Sequence, residues 1–310
     1  MNNHMRVVID IGSNSIKCVV AQGVGTDFQV IRELSRTTRL GEELAVTGMI
    51  GPEAAERSLA YLRELSDLCR DYGVKSVVCV GAETLRRASD AEQFARRLKC
   101  LTGWDLRVLT PEGEARLSFE AASALVPANG DFVVIDSGGG STEFSFGSKQ
   151  GLKTCHSLPL GALTLTSSYI HSDPPGPEEV SRLRNHIRGL LQSEFPRPGK
   201  LHAVACGGGV CALAAVAMEL EDFEAEKVQG FWLSQTELER QIVLYGSVTE
   251  AERARIKGLP PGREAIILAG ALVLEEILLH FELKGTSISS RGIRHALLAE
   301  IDPIWFMPVT

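Results

Sequence analysis

Apolar residues along the chain fall into two alternating patterns: short β-branched runs, and longer stripes whose members recur every three or four positions. The first half opens with a strand, a turn and a strand over Val7 to Gln22, followed by a second hairpin arm from Phe28 to Ser35. A helix comes next, with Pro52 near its start, Gly73 at its close, and Ala55, Leu59, Leu62, Leu65 and Leu68 spaced along one buried face. Lys75 to Val80 predicts a strand, Ser89-Asp90 caps a helix running to about Leu101, Leu106 to Leu109 is again a strand, and Pro111 opens another helix. After Asp131 the order returns, with strands at 132–136 and 142–147, a helix from Pro177 to Phe195 and a strand at 201–205. Helices at about 234–246 and 262–281 then frame a strand at Thr286 to Ser289, and a final helix starts near Ile293. Alternation of this kind implies α/β layering, with a longer and more helical second half.

The returning order carries a returning phrase. Val7-Val8-Ile9-Asp10-Ile11-Gly12-Ser13-Asn14-Ser15 is echoed 126 positions later by Val133-Val134-Ile135-Asp136-Ser137-Gly138-Gly139-Gly140-Ser141. In each copy a buried strand ends on an Asp, and a Gly/Ser turn follows whose main-chain N–H groups can close on a phosphate. Glycine lets the main chain approach an anion without a Cβ in the way, serine adds hydroxyl donors, and aspartate can hold a hydrated divalent cation. A strand-end Asp also serves as an ordinary turn cap, but two matched copies favour a duplicated polyphosphate clamp. The repeat predicts two domains, 1–124 and 125–310, with a C-terminal helix at about 296–310 able to pack back on the first.

Composition narrows the partners. The 310 residues are 44% hydrophobic and 23% charged, as in an ordinary soluble globular protein, and no Pro/Ser or Gly/Ser tract is long enough to be a disordered linker. The N-terminus has no apolar signal region, and the longest apolar stretch, Ala265 to Leu274, runs into Glu275-Glu276, which predicts neither secretion nor a membrane span. Seven cysteines, never spaced Cys-x-x-Cys, read as reduced, buried thiols in a cytoplasm, and the seven histidines show no metal-ligand spacing. A net charge of −7 disfavours nucleic acid, so any phosphate specificity must come from a locally basic cleft. A homodimer is compatible with the chain.

Several strings together resemble the exopolyphosphatase/guanosine pentaphosphate phosphohydrolase (Ppx/GppA) family. They are Ile9 to Ser15, Glu83-Thr84-Leu85-Arg86, Glu112-Gly113-Glu114-Ala115-Arg116 and Ile135 to Glu143. Fainter echoes lie at Arg39-Leu40-Gly41, Leu158-Pro159-Leu160-Gly161-Ala162, Ala205-Cys206-Gly207-Gly208-Gly209, Leu259 to Arg263 and Arg291-Gly292-Ile293-Arg294. The resemblance implies two actin-like, ribonuclease-H-like domains with an active-site cleft between them, in the short form without further C-terminal domains. It implies hydrolysis of a terminal phosphoryl group of inorganic polyphosphate, of the 5′ γ-phosphate of guanosine pentaphosphate, or of both, with Mg²⁺ or Mn²⁺.

Roles follow from the resemblance residue by residue. The Glu before Ala-Arg is the family's catalytic carboxylate, which makes Glu114 the general base, although helix-start stabilisation alone would also place Glu112 and Glu114 there. Arg86 is the implied phosphoryl-binding arginine, with Lys17, Arg39, Arg263 and Arg294 as further candidates for a basic cleft. Gly12, Ser13, Asn14 and Ser15 and, in the second copy, Gly138, Gly139, Gly140 and Ser141 are expected to hold phosphate. Asp136 and Glu143, joined by Asp10, are expected around the metal, some through water. Three positions depart from the family pattern: Gly209 replaces a threonine, Ser137 an apolar residue and Ala265 an acidic one, which points to altered substrate choice. An actin-fold small-molecule kinase shares the clamp but needs an acceptor motif that the chain does not show, and a catalytically weak polyphosphate or nucleotide sensor is the remaining rival.

Overall fold

The computed structural model describes residues 4–24, 27–74, 76–126, 130–195, 201–299, 306–307 and 309. They form two compact units, one of Met1–Leu117 with Ile293–Thr310 and one of Ser118–Gly292. Five strands come first: β1 (His4–Ile11), β2 (Ser15–Val24), β3 (Asp27–Thr37), β4 (Ser76–Gly81) and β5 (Leu106–Leu109). The second unit contributes β6 (Phe132–Ser137), β7 (Thr142–Ser148), β8 (Gly151–Leu158), β9 (His202–Cys206), β10 (Trp232–Ser234) and β11 (Gly285–Ser289), and Phe306–Met307 forms β12.

Each unit carries one six-stranded mixed sheet, ordered β12-β5-β4-β1-β2-β3 in the first and β10-β11-β9-β6-β7-β8 in the second. The pairing patterns coincide, and only the edge strand differs in chain order, β12 following its neighbour β5 and β10 preceding its neighbour β11. A three-stranded antiparallel meander comes first, its opening strand pairs in parallel with the next, that strand with another in parallel, and an antiparallel strand closes the edge. The second sheet repeats these pairings. The α/β reading of the sequence is therefore observed in both halves.

The sequence of the central strands explains their position. Val7, Ile9 and Ile11 enter one apolar layer with the helices Pro52–Asp71 and Ala91–Thr102, whereas Val8 enters another with Leu117, Ile293, Leu297 and Leu298. A strand buried on both faces reads as an unbroken β-branched run, as this one does. In β6 the same alternation sends Val133 and Ile135 to one layer and Phe132 and Val134 to the other, where Phe132 stacks on Phe119 at 4.9 Å between ring centres. Asp10 therefore leaves β1 on the face of Val8, and Asp136 leaves β6 on the face of Val134.

Some expected elements differ. The helix predicted at about 296–310 is confined to Ile293–Ala299, and β12 follows at Phe306–Met307, opposite Leu109 and Val108. Pairing of Phe306–Met307 with β5 rules out a helix there, and residues 300–305, 308 and 310 lie outside the described residues. The helix after Ser89-Asp90 forms, but Asp90 does not cap it, because its carboxylate accepts the Ile50 N–H at 2.9 Å. All seven cysteines are free thiols, yet Cys100 is exposed and Cys155 half-buried, because they sit on an outer helix face and on edge strand β8. Burial pushes the Cys18 thiol up to about 12, its neighbour Cys69 adding to the effect. No helix among the described residues is long and apolar enough to cross a membrane.

Candidate active site

In the first unit, β1 turns into β2 through Gly12 to Asn14, closed by the Gly12 N–H donating to the Ser15 carbonyl at 3.2 Å. Two carbonyls of the turn, those of Ser13 and Asn14, point at one segment. Ser13 O accepts from Gly41 N at 2.9 Å, and Asn14 O accepts from Thr38 N at 3.0 Å and Arg39 N at 2.9 Å. Arg39 takes a left-handed backbone, φ 51°, to make this possible. With the carbonyls so engaged, the N–H groups of Ser13 and Asn14 donate to no protein group among the described residues. Asn14 is buried, and neither polar atom of its side chain has a protein partner there; the same holds for the buried hydroxyl of Thr38. Orphaned buried amides are rare, and a binding turn is a place where a ligand supplies the missing partner.

The second unit builds the same object from different residues. Gly138 N–H donates to Ser141 O at 2.9 Å, while Gly138 O accepts from Ala162 N at 3.1 Å and Gly139 O accepts from Leu163 N at 2.9 Å and Thr164 N at 3.2 Å. The first turn of the helix Ala162–Tyr169 thus spends its unpaired donors on the carbonyl side of the turn. Because a peptide's N–H and C=O point oppositely, the N–H groups of Gly139 and Gly140 face away from that helix and donate to no protein group among the described residues. Two glycines make the packing possible. A Cβ on Gly161 would lie 2.1 Å from the Gly140 carbonyl carbon, and one on Gly207 would lie 2.3 Å from Ser137 O.

Carboxylates flank both turns. Asp10 on β1 sits opposite Lys17 on β2, both half-buried. Asp136 on β6 sits in the equivalent place opposite Glu143 on β7. Glu143, only 2% exposed, accepts hydrogen bonds at Oε1 from Ser141 at 2.6 Å and Ser157 at 2.8 Å, and Asp136 accepts one from Ser118. Two adjacent carboxylates suit Mg²⁺, which keeps several waters and takes one or two protein ligands. Among the described residues no group of three or more acidic, His or Cys side chains is arranged to hold an ion; Asp10 is the first unit's counterpart of Asp136.

Glu114 lies in the first turn of the helix Pro111–Ala122, its N–H donating to Thr110 O at 2.9 Å. Arg86, from the short helix Glu83–Arg87 that follows β4, donates through Nη1 to Glu114 Oε2 at 2.7 Å and to Leu109 O at 2.9 Å. Both side chains are only 10% exposed. Nε and Nη2 of Arg86 have no protein partner among the described residues, so half of the guanidinium fork remains for an anion. The first unit thereby brings Gly12, Ser13, Asn14 and Ser15 into one turn and Arg86 and Glu114 into one ion pair; the second brings Gly138, Gly139, Gly140 and Ser141 beside Asp136 and Glu143.

Two of the other basic candidates have surroundings of their own. Arg294 pairs with Glu33 at 2.9 Å, and Glu33 also meets His295 at 3.2 Å. Burial pushes the Arg263 guanidinium down from its usual range, with Cys211 and Glu264 opposing. Sequence reasoning gave no role to the supporting residues Ser118, Ser157, Thr38 and Thr84. Gly41, Gly161 and Gly207 stand inside motif strings that were recognisable, but as echoes without a function.

The sequence matches the Ppx/GppA phosphatase family over residues 18–303. It is 30% identical over 282 residues to exopolyphosphatase 2 of Mycobacterium tuberculosis, covering 87% of this chain and 88% of that one. The solved structure of the Ppx/GppA family member of Aquifex aeolicus is similar with a TM-score of 0.78 and 30% identity, covering 96% of each chain. An exopolyphosphatase structure from Cytophaga hutchinsonii shares the fold with a TM-score of 0.84 at 22% identity, covering 95% of this chain and 96% of that one.

Proposed function

The chain belongs to the Ppx/GppA phosphatase family, and on that premise we propose that it hydrolyses the terminal phosphoanhydride of inorganic polyphosphate, with guanosine pentaphosphate as the lesser substrate. One observation carries this reading. The same turn is built twice, each time with its carbonyls tied back and its N–H groups left for an anion, and in the first copy a buried Asn14 amide waits for a partner. A repeating phosphate chain can be held by such donors without any pocket for a base or ribose.

Hydrolysis needs a base that orients and deprotonates water, and donors on the phosphoryl oxygens. Glu114 takes the water proton, held in place by Arg86, and the unused Nε and Nη2 of Arg86 receive a phosphoryl oxygen. The turn at Ser13 to Ser15, with Lys17, and the turn at Gly138 to Ser141 each offer donors to phosphate. Asp136 and Glu143 would hold Mg²⁺ or Mn²⁺, Asp10 being the first unit's candidate for a water-mediated contact, and the ion would neutralise charge on the phosphate oxygens. Preference for polyphosphate rests on Gly209, which lies in the first turn of the helix Gly208–Ala217 and offers no hydroxyl. The free thiols fit a reducing cytoplasm.

The test is phosphate release from long-chain polyphosphate and from guanosine pentaphosphate, side by side, with ATP plus sugar acceptors as the control. Release from polyphosphate is expected, and Glu114→Gln should lower kcat by roughly a hundredfold or more while binding persists. Transfer to a sugar would establish a kinase instead. An unchanged kcat in the variant would remove Glu114 from the base role.

A further inference from the structure

The first phosphate turn has an acidic neighbour that the reaction does not use. Glu83, 9% exposed, places Oε2 3.5 Å from the Ser13 hydroxyl, which in turn accepts from Thr84 Oγ1 at 2.7 Å. The arrangement is rigid: Gly41 packs so closely that a Cβ on it would lie 2.8 Å from Thr84 Oγ1 and 3.2 Å from Ser13 Cβ. Arg87 supplies the countercharge, donating to Glu83 Oε1 at 2.6 Å, but its side chain is 50% exposed against 10% for Glu83. The negative charge therefore sits inside, next to the turn, while the positive charge that offsets it is solvated. Arg86 contributes little to the balance, being committed to Glu114.

A buried carboxylate beside an anion-binding turn repels what the turn binds, and the repulsion grows with the charge of the ligand. We propose that Glu83 is a specificity-determining residue of the first turn, which weakens the hold on a phosphate dianion more than on the singly charged units of a polyphosphate chain. Orthophosphate, largely a dianion at mildly alkaline pH, is the product of the proposed hydrolysis. The charge of Glu83 thus favours product release over substrate release, with Arg87 limiting its strength. This inference rests on the polyphosphate reading above.

The experiment measures competitive inhibition by orthophosphate and KM for long-chain polyphosphate in the intact protein, for wild type, Glu83→Gln, Glu83→Ala, Arg87→Ala and the Glu83→Gln/Arg87→Ala double variant. Glu83→Gln should lower Ki for orthophosphate by roughly tenfold and KM for polyphosphate by about threefold, with Glu83→Ala following it. Arg87→Ala should raise both constants by about twofold in the wild type and change neither in the Glu83→Gln background. Matching circular dichroism and melting curves exclude a folding effect, and two Glu83 variants guard against one that fails to fold. A Ki that stays put or rises in well-folded Glu83 variants overturns the proposal, as does an Arg87 effect that persists without Glu83. A wild type that neither binds nor cleaves polyphosphate instead overturns the functional reading, and this inference with it.

Discussion

Replacing Gly161 by alanine adds one methyl group at the place where the second turn can least receive it. The new Cβ would stand 2.1 Å from the Gly140 carbonyl carbon, 2.3 Å from its Cα and 2.3 Å from Gly139 O, where ordinary contact begins at 3.4 Å. All three atoms are backbone, so no side chain can swing aside. The turn must retreat by roughly 1 Å, against three hydrogen bonds that tie Gly138 O and Gly139 O to Ala162, Leu163 and Thr164. Overpacking of this kind destabilises by about 1–3 kcal/mol. A displacement of that size in a group that positions substrate lowers activity by roughly a hundredfold. Gly189→Ala is the matched control: it makes the same chemical change in the exposed middle of the helix Pro177–Glu194, where the Cβ meets nothing within 4 Å. There alanine should stabilise by about 0.5–1 kcal/mol and leave phosphate release unchanged. Both variants are compared with wild type by thermal unfolding and by kcat/KM on polyphosphate. A Gly161→Ala protein with native melting temperature and kcat/KM within about twofold of wild type would refute the role given to the tied-back turn.

Arg86→Ala should raise KM for polyphosphate and lower kcat, because it removes both a phosphoryl-binding charge and the partner that fixes Glu114; a kcat effect alone, with KM unchanged, would contradict the anion-binding role. Gly209→Thr is permitted by the backbone, since Gly209 is helical, lacks a positive φ and has open space at its Cβ, unlike Gly207 with φ 110°. The threonine should improve kcat/KM for guanosine pentaphosphate more than for polyphosphate, and an equal response would remove Gly209 as the source of the preference. Glu33 gives a pH signature of stability. Burial alone would raise its carboxyl, but the hydrogen bond and charge of His295 and the charge of Arg294 outweigh it and hold the group at about 2 instead of 4.5. A depressed carboxyl stabilises the fold above its unfolded pKa, and the contribution disappears as pH falls from about 4.5 through about 2. Linkage gives about 3 kcal/mol, lowered to roughly 1–2 because Glu33 is partly in solvent. Glu33→Gln should lower stability at neutral pH by that amount and converge with wild type near pH 2, as read by denaturant melts; parallel curves across that range would sink the assignment.

Strong periodicity made the central strands and the long helix Pro52–Asp71 legible in the sequence, Pro52 marking that helix's start as expected. The meander's third strand in the second unit, β8, was not legible. Its eight residues include only three apolar side chains, Leu152, Cys155 and Leu158, of which Leu158 alone is buried, because an edge strand needs little burial to stay paired with β7. The helix Gly208–Ala217 is apolar nearly all round, so it carries no amphipathic stripe, and β10 and β12, at three and two residues, are too short to show an alternation. Both Asp-bearing turns could be read because main-chain chemistry leaves a local signature of Asp, Gly and Ser. Ser118 and Ser157 could not, since each meets its carboxylate only through the fold. The ion pair of Arg86 and Glu114 joins two strings that were each visible but whose contact was not.

Duplication explains where the two copies agree, and chemistry explains where they part. Asp10 and Asp136 hold the same register position, seven residues before their cross-strand partners, yet those partners are Lys17 in one copy and Glu143 in the other. On the proposed reading, Lys17 in that register position adds positive charge beside the first turn, which offers its N–H groups and the amide of Asn14 to an anion. A carboxylate facing another carboxylate is stable only with a cation or a dense set of donors, and the second turn surrounds its pair with the hydroxyls of Ser118, Ser141 and Ser157. On the proposed reading, one fold yields two phosphate turns that differ by a single exchange of sign, the second alone placing a pair of carboxylates beside its N–H groups. The exchange makes its own demand: Glu143→Lys would copy the first unit's pairing into the second, and should abolish Mg²⁺ binding measured by calorimetry while phosphate still binds. Retention of Mg²⁺ affinity in a folded Glu143→Lys protein would show that the register position does not decide the division.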